Sequence, residues 1–258
     1  MKKKLYIMLL SALTLGGTFT SCSDNHMESV NTDDTKSPTI NPNAQLTTAL
    51  LQTYGDFGLM DTYRSYITGF TQYFAGGWNV SFYAGAVNPD NDQMRLIWDQ
   101  YYSVGIKNLV DAIHNSKDMP NTNAALRIHR VYLMSILTDT YGDIPCSEAG
   151  LGFIEGISNP KYDKQEDIYN WFFAELKDCV SQLGTGSDRI SGDVTSLNGD
   201  TDLWKKYANS LILRFAMRIS DVNPVLAQQE FEGVLASESG YIGNSSENAY
   251  VKYLDAPF

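Results

Sequence analysis

The sequence contains little cysteine and few basic residues. Only three of its 258 residues are Cys, and one of them, Cys22, ends an apolar leader. The other two, Cys146 and Cys179, are too few for a disulfide framework, although an exported chain could pair them. Acidic residues outnumber basic ones by 30 to 19, giving a net charge of −11. This charge disfavours nucleic acid and anionic membrane surfaces as partners.

Motifs for common metal and cofactor sites are also missing from the sequence. His114 and His129 have no HExxH or CxxC spacing around them, and neither a phosphate loop nor a nucleophile elbow occurs. The acidic run at positions 88–92 lacks the glycine of an EF-hand loop. We therefore expect no metal and no cofactor.

The first 41 residues read as a leader and a tether rather than as part of a fold. Three lysines precede an apolar run at positions 5–15 that is too short to span a membrane, and small residues then lead to Cys22. This pattern predicts a bacterial lipoprotein signal peptide over 1–21 and lipidation of Cys22. The alternative is an ordinary secretory signal with an incidental Cys. Residues 22–41 are polar and acidic, as in a flexible tether.

Residues 42–258 predict one mainly α domain of paired helices, resembling a tetratricopeptide stack without its regular repeat. Helix starts are expected at Asn41-Pro42, at Asp90 and at Asn223-Pro224, where capping residues precede helical spacing. Dense apolar patterns predict further helices over 121–140 and 203–219.

Two other helices are expected from weaker signals. The pattern that begins at Asp61 includes Tyr73 and Phe74 and is predicted to end at Gly76-Gly77. Asp163 with Glu166 resembles a capping box, and this predicts a helix through Leu183. Irregular stretches at 76–89 and 142–162 interrupt the helices, and loops of this length are often functional.

The stretch LTDTYGDIPCSEA, residues 137–149, contains several groups capable of chemistry. Gly142 can end the preceding helix in the left-handed conformation, and Pro145 prevents its continuation. We interpret this stretch as a corner in which Tyr141 and Asp143 tie loop to helix. The alternative is an acid–base pair formed by Asp139 and Asp143, although nothing local specifies its geometry.

Two blocks of the sequence resemble the SusD/RagB family of outer-membrane nutrient-binding lipoproteins. The first is TDTYGDIP followed by SEA at 138–149, where Cys146 stands in place of the usual Tyr; the second is the run at 198–220. A shorter match lies between them at 162–169. Members of this family are considerably longer, so the chain is interpreted as an N-terminal part.

The resemblance implies a binding protein and not an enzyme. Such a protein would be lipid-anchored in the outer membrane, face the exterior, capture oligosaccharides (starch among them) or peptides, and deliver them to a SusC-like TonB-dependent transporter. The motif residues would serve the scaffold, with Arg214 and Arg218 among its internal struts. The full scaffold set comprises Asp139, Tyr141, Gly142, Asp143, Pro145, Trp204, Asn209, Arg214 and Arg218.

Ligand contacts are expected in the loop GGWNVSFYAG at 76–85, because the family places binding residues in this region and sugar rings stack on aromatics. We expect Trp78 to be a stacking platform, Tyr83 a second aromatic contact, and Asn79 a reader of hydroxyl groups. The alternative is that Trp78 and Phe82 only cover the helices beneath. Two other functions stay open: a surface helical glycosidase, and a helical scaffold without a small ligand.

Overall fold

The computed structural model describes residues 27, 40–53, 57–75, 77, 80–82 and 89–252. From Asn41 onward the described residues belong to one compact unit, built from ten α-helices. The helices are α1 Pro42–Gln52, α2 Phe57–Asp61, α3 Thr68–Phe70, α4 Asn91–Gln100, α5 Lys107–His114, α6 Pro120–Tyr141, α7 Gly152–Glu155, α8 Gln165–Gln182, α9 Thr201–Arg218 and α10 Pro224–Leu235. Two isolated bridges, Ile144–Asp163 and Thr195–Val251, are the β pairing within this part of the chain. The prediction of a mainly α fold is confirmed.

Three helix starts that the sequence predicted from capping residues are confirmed. Asn41 accepts hydrogen bonds from the first turn of α1, Asp90 does so for α4, and Asn223 for α10. In α1 and α10 a proline follows the cap, at a position that needs no backbone donor. These local signals are sufficient to fix where the helices begin.

Two π-helical turns, Thr62–Ile67 and Tyr101–Ile106, were not predicted. The second joins α4 to α5 and brings its backbone close to α6. A Cβ built on Gly105 would lie 2.7 Å from the Leu133 side chain, so a residue larger than glycine would have to displace it. The second π-helical turn therefore packs closely against α6, which the apolar periodicity of the sequence does not predict.

The helices pack mainly on their neighbours in the chain. Helix α1 packs on α5, α5 on α6, α6 on α8, α8 on α9, and α9 on α10. Aromatic rings fill the contact between α8 and α9, with ring centroids 5.0 Å apart for Phe172 and Phe215 and 5.9 Å apart for Tyr169 and Phe215. Stacked pairs of this kind fit the paired-helix prediction.

Helix α6 is the centre of this stack, and 14 of its 22 residues are buried. Its N-cap residue, Met119, makes no side-chain cap. Asp188, which follows α8, supplies the acceptors instead: its carboxylate accepts from the backbone N–H of Asn121 at 3.1 Å and of Thr122 at 2.8 Å. The Thr122 hydroxyl donates to the same carboxylate at 2.9 Å. Asp188, which is distant in sequence, thus caps the N-terminus of α6.

Buried polar residues of the core are paired within the protein. His129 is buried, and its Nε2 lies 2.8 Å from the Thr53 hydroxyl. Burial lowers the pKa of His129 to about 4, so its imidazole is neutral at neutral pH. Cys146 and Cys179 are both buried and free, so the pairing that the sequence left open does not form.

The second motif block behaves as a scaffold, with one correction. The Trp204 indole N–H donates to Asp193 at 2.8 Å, and the Asn209 amide donates to the Gly240 carbonyl at 2.6 Å. Arg214, in contrast, is exposed, and within the described part of the chain it makes no hydrogen bond or ion pair. The expectation that Arg214 is an internal strut is therefore wrong, because its position on α9 turns it away from the core. Arg218 is exposed as well, although it forms an ion pair with Asp139.

We expect Asp188→Ala to lower the free energy of unfolding by about 2 kcal/mol, because it leaves the first N–H groups of a buried helix without acceptors. Chemical denaturation of the purified protein followed by circular dichroism measures this change. Asp202→Ala is the matched control, since Asp202 is an exposed aspartate in the first turn of α9. Equal losses in the two variants would contradict the role assigned to Asp188.

Candidate functional site

The residues predicted to contact a ligand, Trp78, Asn79 and Tyr83, lie outside the described residues. The predicted lipidation site, Cys22, also lies outside them. These assignments therefore stay predictions. Described residues on both sides of the predicted ligand loop nevertheless show how its ends are held and which side chains flank it.

Side chains of the flanking helices tie the two ends of this stretch together. The Tyr66 hydroxyl accepts a hydrogen bond from the backbone N–H of Asp90 at 3.2 Å. The Thr62 hydroxyl donates to the side-chain carbonyl of Gln93 at 2.7 Å. These two hydrogen bonds therefore hold together the two ends of the chain segment between α3 and α4. Binding residues commonly lie on segments whose ends a folded scaffold positions.

Helix α3 ends earlier than the sequence predicted, through a turn at Gln72. The N–H of Tyr73 donates to the Thr68 carbonyl at 2.9 Å, and the N–H of Gln72 donates to the Gly69 carbonyl at 3.1 Å. This pair of bonds is the Schellman motif, which requires a left-handed residue where Gln72 lies, and Gln72 has φ 62°. The predicted helix end at Gly76-Gly77 is therefore wrong. Glycine usually marks such a turn, and no glycine marks this one.

Aromatic side chains are exposed at the end of α3 and within the predicted ligand loop. Tyr73 is 84% exposed and Phe82 is 57% exposed, and Phe70 and Phe74 are exposed as well. We call Phe70, Tyr73, Phe74 and Phe82 the aromatic set. Tyr73 and Phe74 were missed as candidate ligand contacts because apolar spacing placed them on a helix. Contiguous exposed apolar surface often marks an interaction site.

The corner after α6 is held by backbone and hydroxyl contacts. Gly142 ends α6 with φ 79°, and the Thr138 hydroxyl donates to its carbonyl at 2.7 Å. The Tyr141 hydroxyl accepts from the backbone N–H of Trp98 at 3.2 Å and donates to the Met94 carbonyl. Tyr141 thus ties the end of α6 to α4, as the structural interpretation of this stretch predicted.

Asp163 closes the corner from the other side. Its carboxylate accepts from the backbone N–H of Cys146 at 3.0 Å and of Ser147 at 2.6 Å, and from the Ser147 hydroxyl at 3.0 Å. The predicted capping box of Asp163 and Glu166 is therefore wrong, because Asp163 faces the corner instead of the first turn of α8.

Asp143 accepts a hydrogen bond from a backbone N–H group in the first turn of α8. Its carboxylate accepts from the backbone N–H of Gln165 at 3.0 Å and pairs with Lys164 at 3.1 Å. The hydrogen bond from Gln165, helped by the one from Lys164, lowers the pKa of Asp143 below its usual value. A general acid would need the opposite shift.

Asp139, the other member of the alternative acid–base pair, is also occupied. It accepts a hydrogen bond from the Tyr169 hydroxyl at 2.6 Å and forms an ion pair with Arg218. These contacts join the end of α6 to α8 and α9. Both carboxylates of the suggested pair therefore have scaffold partners.

Neither a metal cluster nor a membrane-spanning helix was found in the described part of the chain. No three His, Cys, Asp or Glu side chains there are grouped so that they could hold a metal ion. Every helix among the same residues is either too short or too polar to cross a membrane.

Comparison with known proteins matches most of the chain to one family. A SusD-like family described as "Starch-binding associating with outer membrane" matches residues 31–258. No curated protein matches the sequence.

Solved structures show the same similarity. A SusD-like protein of Bacteroidetes, AC2a, is 42% identical with a TM-score of 0.75, over 84% of this chain and 40% of its own. A chitin-binding protein is 37% identical with a TM-score of 0.74, over 81% of this chain and 45% of its own. A chitin-binding SusD homolog from Flavobacterium johnsoniae is 29% identical with a TM-score of 0.61, over 81% of this chain and 44% of its own. The chain therefore spans less than half the length of these proteins.

We expect Gln72→Gly to stabilise the protein by up to about 1 kcal/mol, because glycine adopts the left-handed conformation without the steric cost of a Cβ. Gln72→Val should destabilise it by a larger amount, since a β-branched residue is poorly tolerated at positive φ. Thermal unfolding of both variants measures the difference. Unfolding temperatures in the reverse order would show that Gln72 does not adopt this turn.

Asp163 predicts a specific pH dependence. Burial alone would raise its pKa, but the hydrogen bonds from Ser147 and Cys146 outweigh burial and lower it. Because the folded pKa lies below the ordinary value of about 3.9, the stabilisation is complete above that pH and is lost as pH falls through the folded pKa. Asp163→Asn should therefore cost about 1 kcal/mol at neutral pH, and its difference from the unmodified protein should shrink below pH 4.

Urea denaturation at a series of pH values from 7 downward tests this dependence. Asp118→Asn serves as the control, because Asp118 is exposed and lies outside the corner. A constant difference between Asp163→Asn and the unmodified protein at all pH values would rule out this account of Asp163.

Proposed function

The chain belongs to the SusD-like family of outer-membrane-associated, starch-binding proteins, and we propose that it captures oligosaccharides at the cell surface and delivers them to a SusC-like TonB-dependent transporter. The family match supports glycan binding and association with the outer membrane. Two of the similar solved structures are of chitin-binding proteins, which favours a glycan over a peptide as the ligand.

The structural observation that carries this proposal is the aromatic set. Exposed rings of Phe70, Tyr73 and Phe74 precede the stretch in which Trp78, Asn79 and Tyr83 are predicted to contact a ligand, and Phe82 is exposed within it. Pyranose rings present apolar C–H faces to aromatic side chains, and their hydroxyls need polar partners such as Asn79. A hydrogen bond from the backbone N–H of Asp90 to the Tyr66 hydroxyl links the segments on either side of this stretch.

Capture without cleavage is the mode of action we propose. The two carboxylates that a glycosidase would use, Asp139 and Asp143, bind neighbouring helices, and the cavity that Asp139 lines does not include Asp143. A glycosidase needs one carboxyl group with a raised pKa, whereas the pKa of Asp143 is lowered. A ligand-free scaffold, the remaining alternative, gives no reason for exposed aromatics beside the loop.

Attachment to the membrane through Cys22 completes the proposal. The signal peptide over 1–21, the tether over 22–41 and the helical domain over 42–258 would then form a lipid-anchored protein that faces the cell exterior. Several acyl chains on one residue give stable anchoring, whereas a single chain would be marginal. Delivery to a transporter follows from family membership and is part of this proposal.

We expect Tyr73→Ala combined with Phe74→Ala to weaken glycan binding about tenfold or more, since truncating an aromatic hot spot costs about 2 kcal/mol. Affinity electrophoresis of the mature protein through gels containing soluble starch or glycol chitin measures the loss. Phe153→Ala is the matched control, because Phe153 is 95% exposed and lies on α7, far along the chain from the aromatic set.

Three outcomes separate the alternatives. Retardation that the double variant loses and Phe153→Ala keeps, with the polymer intact, supports capture through the aromatic set. Shortened polymer would establish a glycosidase and overturn the proposal. Absence of retardation in every glycan gel would reject glycan capture and direct the search to peptides or to a scaffold role.

A further inference from the structure

A cavity lies between α6, the corner and the start of α8, and no residue of the aromatic set lines it. Its volume is about 320 Å³, at the lower end of the range of small-molecule pockets. The lining side chains are Arg130, Cys146, Ser147, Asp163, Asp167, Ile168 and Trp171. The family match does not assign a role to this cavity, and the proposed contacts of the aromatic set do not include it.

Arg130 is the unusual member of this lining. Its Nη2 donates to the Cys146 carbonyl at 2.9 Å, and its guanidinium carbon lies 5.1 Å from the centre of the Trp171 ring. Its Nε–H is shielded from solvent but has no acceptor. No carboxylate of the described residues forms an ion pair with it.

Arg127, one turn earlier on α6, shows what a structural arginine looks like in the same helix. Its guanidinium bonds to both oxygens of Glu175 at 2.8 Å, to the Gln182 side chain at 2.8 Å, and to Asp178 at 2.7 Å. A buried donor left unpaired costs stability, so native proteins rarely keep one. Arg130 lines the cavity and, unlike Arg127, has no carboxylate partner among the described residues, so its guanidinium is available to a ligand there.

The charges around the cavity restrict what that acceptor can be. Asp163 is occupied by the corner, while Asp167 is exposed and has no hydrogen-bond or ion-pair partner in the described part of the chain. Two carboxylates and one guanidinium give the lining a net negative charge, which disfavours an anionic ligand. A neutral ligand with hydroxyl groups can accept from Arg130, donate to Asp167, and lay an apolar face on Trp171.

Cys146 contributes space to this cavity. Burial raises the pKa of its thiol to about 12, so the side chain is a small neutral wall. The motif that this stretch resembles has Tyr at this position, and a Tyr side chain is much larger than a thiol. The substitution found in this sequence thus leaves room next to Arg130.

We propose that this cavity is a subsite for one neutral pyranose unit, held by the Arg130 guanidinium and the Asp167 carboxylate against Trp171. The assignment rests on the proposed function in one respect, namely that the natural ligand is a glycan. It differs from that function in location and chemistry, because it places a single sugar unit in the corner cavity instead of on the aromatic set.

Indole N–H signals in proton–nitrogen NMR spectra of the mature protein give a direct test. Glucose and N-acetylglucosamine are the neutral probes, and glucuronate is the anionic one. Trp171→Phe identifies the Trp171 signal. Trp204 provides an internal reference, because its indole N–H is buried and bonded to Asp193 in another part of the fold. We expect a neutral sugar to shift the Trp171 signal saturably while the Trp204 signal stays in place.

Two variants keep the test independent of any one substitution. Cys146→Tyr restores the residue of the family motif and should fill the cavity, and Arg130→Met removes the donor. Each should weaken the Trp171 response about tenfold or more while the Trp204 signal shows that the fold persists. A response to glucuronate alone, no response to any probe, or an unchanged response in both variants would overturn the proposal.

Gel retardation by starch or chitin separates this proposal from the proposed function. If the polymer gels retard the protein but neither neutral sugar shifts its Trp171 signal, the proposed function stands and the subsite does not exist. A protein with a sugar-dependent Trp171 signal and no retardation has the subsite, but polymer capture fails. Retardation that Cys146→Tyr reduces and the aromatic variants also reduce would support both sites.

Discussion

The burial of α6 is the constraint on which the rest of this structure depends. A helix covered on most of its surface cannot leave its terminal N–H and C=O groups to water, so other parts of the chain must bind them. Asp188 does this at the N-terminus, while Gly142 and the Thr138 hydroxyl organise the C-terminal end. The loops that follow α6 and α8 consequently supply scaffold contacts, to which Asp143, Asp163 and Asp188 are committed.

This constraint explains why the most recognisable sequence motif says little about which ligand the protein binds. Tyr141, Asp143 and Asp163 hold the corner by contacts to backbone groups that any similar stack of helices would have to satisfy. Ligand chemistry must then come from side chains that the scaffold leaves over. Among the described residues, the exposed aromatic set and Arg130, whose Nε–H has no acceptor, are such side chains.

The sequence predicted those parts of the fold whose causes are local. Asn41, Asp90 and Asn223 cap the helices that follow them, and apolar spacing locates α6 and α9, because each signal acts within a few residues. The failures have two other causes. Asp163 resembles a cap but accepts from N–H groups of the corner that are distant in sequence, and Gln72 adopts a left-handed turn that its side chain does not favour. Tyr73 and Phe74 were missed for this second reason, since they lie beyond the early end of α3.

Arg127 and Arg130 show why a site cannot be recognised from residue type and spacing alone. The two lie on one helix a single turn apart, and sequence gives no ground to treat them differently. Their difference arises from α8, which presents Glu175 and Asp178 to the first and the Trp171 ring to the second. Carboxylate neighbours make Arg127 a strut, whereas Arg130 lies against a ring, donates to the Cys146 carbonyl and keeps an Nε–H without an acceptor. Cys146 lines the same cavity, so the proposed subsite depends on three separate segments that meet at one corner.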